Sequence, residues 1–271
     1  MIDVIAENGV VFLKSNILTS THGFGTRIGG ISAKEHTKGL NLAFGRGDSR
    51  ECVLENLGLF AEAVGFDEKC IVSVSQIHSA DVRVISDAGA GQGYFVNEAF
   101  SCDGYVTNTS GITLGIKTAD CVPILMEGRD ELGNVLAVGA VHAGWRGTVG
   151  KIAEECIKKL SAFGTRPENI RAVIGPAICG ECYSVREDFY RTVLDTLGER
   201  DTKRFLSPTQ ETDVWHCDLR EMNREFLLRS GLRAENIEVS AECTCCNPEK
   251  YFSHRFTGGK RGTMLSVISM P

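Results

Sequence analysis

The sequence predicts an α/β or α+β fold, a single domain over residues 1–271 in which mixed β-sheets are covered by helices. Three observations point there. Short apolar runs rich in β-branched residues recur mid-chain, at Ile112–Ile116, Val122–Met126 and Val135–Val141, each bounded by glycine or polar residues. Longer runs with helical spacing or helix-end signals occur at Ser49–Val64, Thr148–Phe163 and Asp218–Ser230. The two kinds are mixed without the strict alternation of an all-parallel sheet. No linker, repeat or low-complexity tract divides the chain.

The elements follow in order. Val4–Ile5 and Val10–Leu13 flank Glu7-Asn8-Gly9, and Asn-Gly between apolar runs predicts a hairpin. Ser49 caps the helix to Val64, and Gly65 stands where it stops. Ile71–Ser75 and Val82–Ile85 read as strands, with His78 in the turn between them. Beyond the central strands, Thr148–Phe163 is helical through Ile152, Cys156, Ile157 and Leu160. Ile170–Ile174 is a strand and Val185–Leu197 a helix. Asp218 with Glu221 resembles a capping box, and Gly231 closes that helix. Ile237–Ala241 and Met264–Ile268 are the last strands.

Composition narrows the function. The chain is 42% hydrophobic and 24% charged, ordinary for a globular protein with a substantial core. Its net charge is −6 with Lys and Arg scattered, which argues against a nucleic-acid partner but not against a small anion. The N-terminal MIDVIAENGVVFLKS lacks the form of a signal peptide, and no run nears the roughly 18 apolar residues of a membrane span. A cytoplasmic location without a membrane partner is expected. There the 11 cysteines are reduced thiols, mostly small buried hydrophobes, and the odd count suits a disulfide framework poorly.

Three segments carry chemistry. His78 lies in Gln76-Ile77-His78-Ser79-Ala80-Asp81, between two strands. Cys121 lies in Lys117-Thr118-Ala119-Asp120-Cys121-Val122-Pro123, a polar junction between very apolar strands. His142 ends a buried strand in Val141-His142-Ala143-Gly144-Trp145-Arg146-Gly147-Thr148, where a glycine-containing loop offers backbone N–H groups to an anion. Two imidazoles and a thiolate suit zinc, and three ligands leave a fourth position for water or substrate. Spacing alone does not bring the three together.

These segments resemble the YfiH-like family, also called the laccase-domain or multicopper polyphenol oxidase family. The resemblance runs along most of the chain: TRIGGIS at 26–32, NLAFGRGD at 41–48, QIHSADV, KTADCVPIL, AVHAGWRGT, IGPAICGECYSV at 174–185 and SHRFTGGKRGTMLSVI at 253–268. It implies an α/β-sandwich and one zinc held by His78, Cys121 and His142. It also implies phosphorolysis of adenosine, inosine, guanosine and methylthioadenosine, adenosine deamination, and in some bacterial members a peptidoglycan-editing role. Copper, implied by the older oxidase name, is disfavoured because six histidines are too few for multicopper oxidation. Tyr183-Ser184-Val185 departs from the family's Tyr-Glu-Val, so no role for that glutamate carries over.

For phosphorolysis, Arg46 in Gly-Arg-Gly-Asp is the first candidate to hold phosphate or purine, with Arg27 and Arg146 as further anion sites. A helix starting near Thr148 adds backbone donors. Asp120 is a candidate proton shuttle and Asp103 a substrate-positioning group; Gln76 is expected to orient His78 or contact ligand. Two other readings stand beside this one. In a cysteine hydrolase acting on peptidoglycan-related substrates, Cys121 is nucleophile and His142 its base. In a structural zinc protein, Cys179 and Cys182, at C-x-x-C spacing, join cysteines among Cys243, Cys245 and Cys246. Whether the oligomeric state is monomer or dimer stays open.

Overall fold

The computed structural model describes residues 1–271. The strands are β1 (Ile2–Glu7), β2 (Val10–Ser15), β3 (His22–Gly25), β4 (Ile71–Val72), β5 (Val82–Val84), β6 (Gly104–Thr107), β7 (Thr113–Thr118), β8 (Val122–Arg129), β9 (Val135–Ala143), β10 (Ile170–Ile174), β11 (Ser184–Arg186), β12 (Leu206–Pro208), β13 (Val214–Cys217), β14 (Ile237–Val239) and β15 (Met264–Ser269). The helices are α1 (Arg50–Val64), α2 (Trp145–Val149), α3 (Ile152–Ser161), α4 (Glu187–Leu197), α5 (Glu199–Phe205), α6 (Leu219–Arg229) and α7 (His254–Thr257).

Two six-stranded sheets dominate, in the orders β1-β2-β3-β15-β7-β4 and β14-β10-β8-β9-β6-β5. Each is antiparallel except at edge pairs, where β4 runs parallel to β7, β14 to β10 and β5 to β6. Strand alternation sorts the core into layers. Phe24, Leu114, Ile116 and Ile268 of the first sheet meet Tyr105, Leu125, Val138 and Val173 of the second. The opposite face of the first sheet, with Phe12, Leu265 and Val267, takes Val53, Leu57 and Phe60 of α1. That of the second, with Ile124, Met126 and Val141, takes Ile157 and Leu160 of α3 and Met222 and Phe226 of α6. The molecule is thus a helix–sheet–sheet–helix sandwich, the mixed fold the sequence predicts. Because β7, β8 and β9 are covered on both faces, they read as unbroken apolar runs.

The hairpin and α1 form as expected. Asn8 and Gly9 take positive φ at the β1–β2 turn. Ser49 accepts from Cys52 N, and Gly65 is left-handed at the C-cap. Other segments differ. The helix expected over Thr148–Phe163 is two helices, starting at Trp145 and broken where Lys151 turns left-handed with φ 61°. Of the helix expected over Val185–Leu197, the first residues form β11 on β13, in a three-stranded sheet with β12 that the sequence did not announce. The strand expected at Ile71–Ser75 shortens to Ile71–Val72. Past it, side chains take over from the ladder: Lys117 Nζ donates to the Ser73 carbonyl, and the Gln76 amide pairs with both backbone groups of Lys117. No helix is long and apolar enough to cross a membrane.

Phe60 is fully buried, edge-to-face on Phe12 with centroids 6.4 Å apart. Phe60→Ala is expected to cost about 3–5 kcal/mol of stability through the cavity it leaves, read from the urea midpoint.

Candidate metal centre

Twice at one end of the sandwich the chain leaves the first sheet for the second, and both of these crossings carry a site residue. The first runs from β4 to β5 and holds His78; the second runs from β7 to β8 and holds Cys121. His142 lies on β9, paired with Pro123 of β8. The next register pair, Val122 with Ala143, sets Cys121 beside Gly144. The ligand atoms of His78, Cys121 and His142 lie within 4.8 Å of one another, and the two imidazoles meet edge-to-face at 4.9 Å. The folding therefore gathers three residues that sequence spacing left apart.

Gly144 makes room for them. A Cβ there would lie 2.9 Å from His78 Cδ2, 3.4 Å from His142 Cε1 and 3.5 Å from Cys121 Sγ. His78 itself is left-handed at φ 60°, a conformation that needs external support in a residue with a Cβ.

Asp103 supplies that support. Its carboxylate is fully buried and accepts from His142 Nδ1 at 2.8 Å, from the backbone N–H groups of Ile77, His78 and Ser79, and from Ser79 Oγ. Burial raises its pKa, but the His142 and Ser79 hydrogen bonds outweigh that and hold it at about 2. The carboxylate takes the Nδ1 hydrogen, so Nε2 of His142 is the nitrogen left to ligate. Asp103 thus positions the histidines instead of touching substrate. Burial also pushes the Cys121 thiol up, but His142 and then His78 bring it down to about 6. Burial opposes charge on His142, yet Cys121 and Asp103 raise it to about 9. Without an ion, the pair favours thiolate and imidazolium.

The trio opens into a cleft of about 310 Å³ that includes Phe44, Arg46, Gln76, Lys117 and Arg261. Three cations therefore share the cleft. Arg46 was legible in the sequence; Lys117 and Arg261 were not singled out, although both lie inside segments quoted for the family. Lys117 Nζ donates to Ser73 O, and burial brings it down to about 8. Arg261 is bonded through Nη1 to Gly262 O and Thr263 Oγ1, while its buried Nε has no partner. Phe44, tilted against Tyr94 at 5.4 Å, adds an aromatic face.

Three expected site residues have other work. Arg27 is spent on the carbonyls of Pro248 and Lys38 and stacks on Phe252. Arg146 is exposed and stacks on Trp145 at 4.1 Å, away from the cleft lining. Asp120, at φ 93°, accepts from Thr244 Oγ1 at Oδ1 and from Arg255 N at Oδ2, both at 2.6 Å, so its carboxylate anchors the Cys121 turn. Thr148 lies inside α2, whose N-cap is Gly144.

A family model described as multi-copper polyphenol oxidoreductase laccase matches residues 21–271. The chain belongs to that family. Within the laccase family, a protein of Deinococcus radiodurans named purine nucleoside phosphorylase is 35% identical over 97% of this chain and 94% of its own. Another, named adenosine deaminase RL5 and from an unknown prokaryote, is 32% identical over 95% of this chain and 96% of its own. The crystal structure of the Bacillus licheniformis hypothetical protein YfiH superposes with a TM-score of 0.89 at 30% identity, covering 99% of each chain. The family resemblance drawn from the motifs therefore holds.

Asp103→Asn removes the negative charge and replaces one of the two acceptor oxygens that hold His142 Nδ1 and the His78 turn with an NH2 donor. It is expected to weaken metal binding about 10- to 100-fold, measured by competition with a chromophoric chelator. In the same assay Gly144→Ala is expected to lower affinity as well, because its methyl meets all three ligating side chains.

Proposed function

We propose that the protein is a zinc-dependent purine nucleoside phosphorylase, acting on adenosine, inosine, guanosine and methylthioadenosine. The observation that carries the reading is the placement of a His-Cys-His trio and three cations in one cleft. The relatives named for purine nucleoside chemistry support the same class.

His78, Cys121 and His142 fit zinc as a donor set: two imidazole nitrogens and a thiolate, with the buried imidazole oriented by a carboxylate. They suit the copper of a multicopper centre less well. None of the other histidines joins the trio in a metal-capable group, and no methionine lines the cleft where a lone copper would find its axial ligand. A zinc ion held there supplies Lewis-acid polarisation of a substrate atom.

The chain's own residues do the rest. Arg46, Lys117 and Arg261 hold the phosphate by charge-assisted hydrogen bonds and aim it at the anomeric carbon. A phosphate oxygen bonds to that carbon as the glycosidic C–N bond breaks, with its electron pair leaving on the purine. Phe44 offers the base an apolar face. The cleft volume lies at the low end of the range for small-molecule sites, which suits a nucleoside. The cysteine-hydrolase reading finds a Cys121–His142 pair of suitable polarity, but it leaves His78, held at a costly backbone angle against the same thiol, without a task.

The deciding experiment is phosphate-dependent release of free base from a nucleoside panel by metal-quantified protein. Release is expected to require phosphate and zinc and to vanish with the metal in Cys121→Ala. Full activity in that variant would end the proposal. Ammonia release from adenosine without phosphate would move the reading to deamination, and thiol alkylation that abolishes amide hydrolysis in metal-free protein would move it to the hydrolase.

Lys117→Ala and Arg46→Ala are each expected to raise the KM for phosphate about 10- to 100-fold, from the roughly 1.5–3 kcal/mol of a hydrogen bond to a charged group. Lys117 is charged below about pH 8 and neutral above it. Phosphate binding by the wild type should therefore weaken as pH rises past that value, while Lys117→Arg stays flat; identical profiles would remove Lys117 from the phosphate site.

A further inference from the structure

A second cluster lies outside the cleft. Cys179 and Cys182 flank a short turn after β10, and Cys243 and Cys246 flank another after β14. The sequence thus holds two C-x-x-C knuckles, the second disguised by the adjacent Cys245. The parallel bridge of Ala177 with Cys243 sets the turns side by side. The four sulfurs lie within 4.8 Å of one another, and Cys245 is not among them. None is in a disulfide, and the Cys182 and Cys246 sulfurs stand 3.4 Å apart, well beyond the bond length. Two backbone N–H groups, of Cys179 at 3.2 Å and Cys246 at 3.4 Å, point at Cys243 Sγ, as donors do toward a thiolate. Arg220, buried and held by Asp218, is close enough to feel the charge of Cys179 and Cys243.

We infer that these four cysteines bind a second zinc ion, in a closed tetrathiolate site that is structural. Four sulfurs fill a tetrahedron and leave no position for water or substrate, the pattern of a folding site and not of a reacting one. Thiolate donors select a soft or borderline metal over magnesium or calcium. Binding displaces the remaining thiol protons to solvent and forms four zinc–sulfur bonds, with no change of oxidation state.

The position of the site gives it a purpose. Thr244, inside the second knuckle, donates to Asp120 Oδ1, next to Cys121. Arg255 donates its backbone N–H to Asp120 Oδ2 and its Nη1 to the Cys182 carbonyl. The two knuckles therefore brace the turn that presents Cys121 from behind. The inference uses none of the cleft residues as ligands and stands whether or not the chain is a phosphorylase.

The test is zinc per chain by elemental analysis on full-length protein purified without chelator. Wild type is expected to hold two equivalents. Cys179→Ser with Cys246→Ser should lose one and keep the other, and His78→Ala with Cys121→Ala should do the reverse. Should the first variant fail to fold, the second decides alone. Reconstituted with cobalt, it should show the intense thiolate-to-metal charge transfer of four sulfurs, and a mercurial should release its one metal as four thiols titrate. A folded His78→Ala/Cys121→Ala protein without metal, its four cysteines titrating as free thiols or recovered as disulfides, would overturn the inference. So would two zinc ions retained in the Cys179→Ser/Cys246→Ser protein.

Discussion

The carboxylate of Asp103 is the contact on which the candidate centre depends. It sits at the start of β6 in the second sheet and gathers the backbone of Ile77, His78 and Ser79 from the crossing that leaves the first. Its Oδ1, which accepts from His78 N, also fixes the ring of His142. A fully buried charge is expensive unless every lone pair is used, and here five donors use them. One residue thereby orients an imidazole on a rigid strand and stabilises the left-handed backbone that turns a second imidazole toward it. Asp120 plays the corresponding part for the third member, with Thr244 and Arg255 as its donors.

This arrangement follows from the two-sheet topology. A chain that leaves one buried sheet for the other must turn at the sandwich end, and its turns lack ladder partners. Side chains replace the missing ladder: Gln76 across to Lys117, Lys117 back to Ser73, Asp103 into the His78 turn. The residues that hold the crossings are therefore the residues that shape the cleft. Structural and chemical roles converge because both are confined to the same few unpaired turns.

Much of the fold was legible where burial is two-sided or caps are explicit. β8 and β9 announce themselves as apolar runs, and α1 by Ser49 and Gly65. The three-stranded sheet did not, because β11, β12 and β13 are short, half-exposed and interrupted by Arg186 and Pro208. The trio was legible only as three separate motifs, joined by family resemblance. Individual arginines were the least legible. Arg27 and Arg46 sit in similar glycine-rich loops, yet one is consumed by carbonyls and the other faces the cleft. An arginine's destination is set by which carbonyls the loops leave open, and that is decided by tertiary packing. Lys117 and Arg261 were overlooked for the same reason.

The sheet ends differ in how open they are. β4, β5 and β14 are only two or three residues long, too short to offer much of a template. β1 is six residues long, outermost, and largely exposed. It carries Asp3 and Glu7 beside the apolar Val4 and Ile5. An incoming strand, whether from another molecule or from an unfolded chain, would have to bring its backbone against those carboxylates. Colloidal behaviour at this rim is thus governed by charge instead of by cover, so high salt, which screens exposed carboxylates, would unmask it.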